Sequence, residues 1–154
     1  MLKNVLALLA SVLLVSLAAS FGALYGPSDW YFQLHKPFFN PPNWIFGPVW
    51  SFLYLSMAVA AWLVWLRRNG QVVGLALALF GLQLLLNALW TWLFFGLHWM
   101  GVALADILVM EALILLTGYL FWRINHFAGL LFVPYALWVG FASILNMSLW
   151  SLNA

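Results

Sequence analysis

The chain has 154 residues, of which 68% are hydrophobic and only 5% charged, with a formal net charge of +2. Globular proteins average roughly a quarter charged residues, so a soluble fold of this composition would have almost nothing to cover its surface, and the chain reads as an integral membrane protein. The basic excess is too small and dispersed for a nucleic-acid surface, and the absence of cysteine removes disulfides, thiolate catalysis and Cys-held metal or iron–sulfur centres.

At about 20 apolar residues per span, the length accommodates about five helices in a single domain covering residues 1–154. The first apolar run begins after Lys3 and continues to about Tyr25. Small residues from Ala18 to Ser20 resemble a leader cleavage site, but the run is long enough to span, so it reads as a first helix, 4–25. Gly, Pro and charged residues divide the remainder into helices expected at 43–66, 72–95, 100–122 and 128–150. Short turns fall at Arg67–Gln71, Gly96–Gly101 and Arg123–Phe127. The connection from Gly26 to Pro42 is long, and its Lys36-Pro37 and Pro41-Pro42 steps force extended or turning backbone. A structured Pro-rich cap is expected there, with proline well placed to open the next helix.

Five spans set the termini on opposite faces. Lys3, Arg67, Arg68 and Arg123 then share the N-terminal face and Lys36 stands on the other. Retention of basic residues in the cytoplasm predicts a cytoplasmic N-terminus and an external long loop and C-terminus. Depths follow from 1.5 Å per residue. Trp50, Asn87, Asp106 and Asn146 all fall in the outer half. Gln83, Asn87 and Trp90 form one helical stripe and Trp138, Ala142 and Asn146 another. Polar stripes turn inward because lipid offers no hydrogen-bond partner, so the two stripes under the proline loop predict a pocket beneath a lid.

Of the eleven tryptophans, Trp62, Trp65, Trp99, Trp122 and Trp150 fall near helix ends, where interfacial aromatic belts are expected. Trp50, Trp90 and Trp138 lie inside the spans, and either pack the core or wall a ligand. Asp106 and Glu111 are intramembrane carboxylates, costly unless protonated, paired or solvated. Five residues apart, they stand about 140° apart around a helix and cannot share a proton on one face. The alternative is a carboxyl tying helices through Asn or Trp donors. His35, His98 and His126 read as surface histidines, with a haem ligand from His35 or His98 at the outer face as the alternative, and no paired-His motif specifies a metal. Gly70, Gly74 and Ala78 recur every four residues, a small-residue stripe that serves either a dimer seam or packing within the bundle.

The stretches "WYFQLHKPFFNPPNWIFGPVWSFLYLSMAVAAWLVW", "LLLNALW" and "PYALWVGFASILNMSLWSLN" resemble the translocator protein family, also called the tryptophan-rich sensory proteins (TspO/MBR). The resemblance implies a five-helix bundle, commonly a homodimer, that binds porphyrins and, in animal members, cholesterol and synthetic drug-like ligands. Carried over by position, it implies a ligand cavity involving Tyr31, Pro41, Trp50, Asn87, Trp90, Asp106, Trp138 and Ala142. The animal sterol motif is not matched: Met147 and Ser148 stand where its tyrosine is expected, with no basic residue following. A loose version, Leu115, Tyr119 and Arg123, occurs at the inner end of the fourth span.

The expected function is a receptor-like, membrane-embedded tetrapyrrole (porphyrin or haem) binder in a bacterial cell membrane, regulating porphyrin levels or a stress response. It needs no cofactor, holds no metal and has no nucleic-acid partner. The alternatives are light- and oxygen-dependent porphyrin breakdown, with Trp50 and Trp138 as the catalytic residues, and transport of porphyrins or other lipophiles.

Overall fold

The computed structural model describes residues 2–68 and 72–154. Among them five helices are long and apolar enough to cross a membrane, and none of the described residues is in a strand. The first span is α1 (Leu2–Leu24). A single-turn helix, α2 (Asp29–Gln33), sits in the loop that follows, before α3 (Asn43–Trp65). The third span is α4 (Val73–Thr91), extended by one π-helical turn, Trp92–Gly96, and the fourth is α5 (Met100–Ile124). The last combines a short α6 (His126–Leu130) with α7 (Val133–Asn153). The expected boundaries thus hold to within three residues.

Mean hydropathy is high all round these helices, so the side that turns inward is set by small and polar residues rather than by an apolar stripe. On α3 the buried side carries Ser56, Met57, Ala58, Ala60 and Ala61, which lets α1 and α4 approach closely. On α4 it carries Ala76, Phe80, Gln83 and Asn87. The helix α5 packs on α4 and α7, and α1 packs on α3 and α4. Pro48 inside α3 leaves the Trp44 carbonyl without its helical donor in the first turn, near the headgroups, where the cost is least.

The connections are built by local chemistry. Asn125 caps α6 by accepting from the N–H groups of Phe127 and Ala128, turning the chain between the fourth and fifth spans. Gly129 is required just beyond, because a Cβ there would lie 2.6 Å from the Trp122 Cα. The π turn inserts an extra residue, bringing Leu97 N–H to the Trp92 carbonyl at 2.9 Å. Gly96 ends that turn where a Cβ would sit 2.8 Å from Trp92 and 3.0 Å from Tyr25. Next, His98 takes a left-handed backbone, φ 59°, an unusual conformation for a non-glycine residue.

Of the five tryptophans expected near helix ends, Trp65, Trp99, Trp122 and Trp150 are exposed. Trp62 turns inward and donates through Nε1 to the Asn4 carbonyl, while Arg68 donates to the Asn4 side chain. Gly74 and Ala78 are exposed, and a Cβ on Gly74 would meet nothing within 4 Å, so this pair does not serve packing within the bundle. Gly70 lies outside the described residues.

Candidate functional site

A cavity of about 290 Å³ opens at the end of the bundle where the C-terminus lies. Its wall is formed by α1 (Ala19, Gly22, Ala23), α3 (Phe46, Gly47, Trp50, Tyr54), α4 with its π turn (Asn87, Trp90, Thr91, Phe94, Phe95) and α7 (Trp138, Ala142, Asn146 and neighbours). Tyr25, Gly26, Pro27 and Tyr31 close it from the connecting segment. The lining is overwhelmingly apolar and aromatic, with a few polar groups at fixed points, the usual constitution of a small-molecule site.

The lid is held at three places. Tyr31 is buried at 2% exposure against Phe94 and Phe95 and donates to Asn40 Oδ1 at 3.2 Å. Burial pushes its phenol above the usual tyrosine pKa, so it stays neutral through the physiological range. Trp30 stacks on the His98 imidazole, 4.0 Å between centroids and 14° between planes, which offsets the strained His98 backbone. Asn153, at the last turn of α7, accepts from His35 N–H and donates to the His35 carbonyl, both at 2.9 Å. These bonds latch the loop to the end of the fifth span across more than a hundred residues of sequence.

Polar groups within the wall are mostly paired. Trp90 Nε1 donates to Asn146 Oδ1 at 3.0 Å, and Asn146 Nδ2 donates to the Met100 carbonyl at 2.9 Å, joining α4, α7 and the start of α5. Tyr54 Oη donates to Asn87 Oδ1 at 2.7 Å. Trp138 differs: its Nε1 is buried without a hydrogen-bond partner, while its ring packs against Phe46 and Phe141. That N–H is itself shielded, so what Trp138 presents to the cavity is its ring.

Of the residues expected at a ligand cavity, Tyr31, Trp50, Asn87, Trp90, Trp138 and Ala142 converge on this one space. Pro41 and Asp106 do not line it. The reason for Asp106 is architectural: α5 contributes no residue to the wall, because it packs outside α4 and α7. Asp106 Oδ2 and Glu111 Oε2 are buried without hydrogen-bond partners, so no Asn or Trp donor ties either oxygen to another helix. Gly140 lies opposite Glu111, where a Cβ would come within 3.8 Å of its carboxylate. The contributions of α1 and of Phe94 and Phe95 were not legible beforehand. Small residues four apart, Ala19 and Ala23, were the available signal for the first; no sequence signal announces the π turn that presents the phenylalanines. Among the described residues no group of His, Asp and Glu is arranged to hold a metal ion.

The profile of the TspO/MBR family matches residues 7–151. The tryptophan-rich sensory protein of Cereibacter sphaeroides is 43% identical over 136 residues, covering 88% of this chain and 84% of that one. Protein CrtK of Rhodobacter capsulatus is 39% identical over 137 residues, covering 88% and 86%. The human translocator protein is 36% identical over 126 residues, covering 80% and 75%. With a matching profile over nearly its whole length, five apolar spans and a tryptophan-walled cavity under a latched loop, the chain is a multi-pass integral membrane protein of the TspO/MBR family.

Proposed function

We propose that the cavity binds a flat conjugated ligand of the tetrapyrrole class, porphyrin or haem, and that the protein acts as a receptor-like binder regulating porphyrin levels from within the membrane. The observation that carries this reading is the convergence of three indoles, Trp50, Trp90 and Trp138, on one apolar space. Such walls favour a planar π system through stacking and buried area. The name of the Cereibacter relative, a sensory protein, fits a receptor rather than a housekeeping role. A space of about 290 Å³ stands at the small end of ligand sites, so a whole macrocycle requires the lid to lift from Asn153 and His98. The exposed strip of Gly74 and Ala78 supports pairing of two copies through α4.

Tryptophan fluorescence of the detergent-solubilised protein, titrated with protoporphyrin, haem and a sterol, tests the reading. Saturable quenching by the tetrapyrroles is expected. Trp50→Phe and Trp138→Phe each weaken it by about 0.5–1.5 kcal/mol, or roughly two- to twelvefold. Trp62→Phe, at the opposite end of α3, leaves it unchanged. Absence of saturation, or equal effects of all three substitutions, overturns the proposal.

A second reading, light-dependent porphyrin breakdown, draws on the aromatic contacts of Trp50, whose ring centroid lies 5.4 Å from Tyr54 and 6.3 Å from Tyr135. An indole is far easier to oxidise than a phenyl ring. Illumination with oxygen then gives product from wild type but not from Trp50→Phe or Trp138→Phe at matched occupancy; equal product yields sink the redox role.

A further inference from the structure

Below the cavity, a single file of hydrogen bonds crosses three helices. Tyr54 Oη donates to Asn87 Oδ1 at 2.7 Å, Asn87 Nδ2 to Tyr135 Oη at 3.3 Å, and Tyr135 Oη to Gln83 Oε1 at 2.6 Å. At the blind end Gln83 Nε2 meets Met57 Sδ at 3.9 Å. Tyr54 and Asn87 line the cavity, whereas Met57, Gln83 and Tyr135 are completely buried behind it.

A file of two amides and two hydroxyls can run in either sense, because each amide can turn over and each hydroxyl has one hydrogen. In one sense Tyr54 gives its hydrogen to Asn87; in the other Tyr54 accepts from Asn87 and gives its hydrogen to the cavity. The sense is decided at Met57. A thioether accepts weakly and has nothing to donate, so Gln83 must turn its NH2 toward the sulfur and its carbonyl toward Tyr135. The opposite arrangement sets two acceptors against each other in a dry interior, where an unpaired polar atom is costly. From that end the hydrogens are allocated in turn: Tyr135 gives its own to Gln83 and accepts from the Asn87 NH2, which leaves the Asn87 carbonyl facing Tyr54. The hydroxyl hydrogen of Tyr54 is thereby committed, and only its oxygen lone pairs remain for the cavity.

We infer that Met57, Gln83 and Tyr135 are positioning residues that fix Tyr54 as a hydrogen-bond acceptor, so that the cavity favours ligands bringing an N–H or O–H over ligands of the same shape bringing only acceptors. This rests on the cavity being the ligand site, but not on the ligand being a tetrapyrrole. It makes specificity depend on three side chains that no ligand touches.

The test uses carbazole and dibenzofuran, flat three-ring molecules of nearly equal shape, the first with an N–H where the second has a ring oxygen. Each is titrated calorimetrically into the purified full-length protein, corrected for partition into detergent. Wild type is expected to prefer carbazole by about tenfold, the worth of one net hydrogen bond. In the double variant Gln83→Leu/Tyr135→Phe, which removes both lower partners together, Asn87 is free to turn over and the preference falls toward unity. Met57→Leu, a milder substitution of similar volume, lowers the preference in the same direction and serves where the double variant does not fold. Equal binding of the two probes by wild type, binding of neither, or a preference unchanged in Met57→Leu and the double variant overturns the inference. Protoporphyrin titrated alongside separates the two proposals. Its failure to bind while the carbazole preference persists removes the tetrapyrrole reading alone; its binding without any probe preference removes the positioning role alone.

Discussion

Asp106 and Glu111 carry carboxyls into a span that lipid surrounds, yet their buried oxygens find no partner. An intramembrane carboxylate costs up to about 2.5–3.5 kcal/mol at the bilayer centre and less near the interface. Asp106, six residues after the start of α5, lies about 9 Å inside it. Removing a group that makes no bond and carries this cost should not destabilise the bundle. Asp106→Asn and Asp106→Leu are therefore both expected to melt at or above the wild-type midpoint, with about 2–4 °C for each kcal/mol gained, and to bind protoporphyrin unchanged. Thermal unfolding in detergent with a parallel titration checks this; a large loss of stability confined to Asp106→Leu would reveal a structural hydrogen bond, and loss of binding in both would return Asp106 to the site. Asn146 is the opposite case. It satisfies a donor from Trp90 and an acceptor on Met100 at once, and so fixes the indole of Trp90 in the cavity wall.

Among the elements, α4 performs two tasks on two sides. Its inner side places Asn87 and Trp90 at the cavity, and its outer side exposes Gly74 and Ala78, with open space before Gly74. A smooth exposed strip lets a second helix approach to backbone contact, which gains dispersion energy that lipid chains do not match. If two copies pair through α4 and the cavity takes porphyrin, as proposed, Gly74→Ile shifts the detergent-solubilised protein toward monomer and leaves porphyrin binding per chain intact, since the substituted side chain points away from the bundle. Light scattering coupled to size-exclusion chromatography reads the mass directly, and an unchanged dimer mass would remove α4 from the interface. The connecting segment with α2 is the other two-task element. It covers the cavity through Tyr31 and anchors itself through Trp30 and the His35–Asn153 pair, so a few contacts hold it in place.

For the molecule as a whole, the distribution of charge and the position of the cavity belong together. Arg68 reaches Asn4 at one end of the bundle, and the latched loop closes the other. Basic side chains stay in the cytoplasm, so the end carrying Lys3, Arg67, Arg68 and Arg123 is expected inside and the lid outside. A reporter fused after Ala154 is then external: alkaline phosphatase active and a cytoplasm-dependent fluorophore dark. The reverse pattern in a correctly inserted fusion would place the cavity toward the cytoplasm.

The sequence by itself determined the class, the number of spans and their limits, because length and hydrophobicity alone decide which segments a bilayer accepts, and Gly, Pro and charge mark where they stop. It also placed Asn87, Trp90, Trp138 and Ala142 on their helices' inner sides, since a polar or aromatic stripe at helical spacing has nowhere else to turn. Only the tertiary structure decided which helices meet at the cavity. Asp106, like Asn87, is a polar residue in the outer half of its span, but α5 packs outside α4 and α7, and depth along a helix does not report which neighbours the helix has. The π turn, the left-handed His98 and the His35–Asn153 latch were likewise silent in the sequence. The sense of the hydrogen-bond file was hidden for the same reason: it requires Met57, Tyr54, Gln83, Asn87 and Tyr135 from three helices at mutual distances that no spacing along the chain encodes.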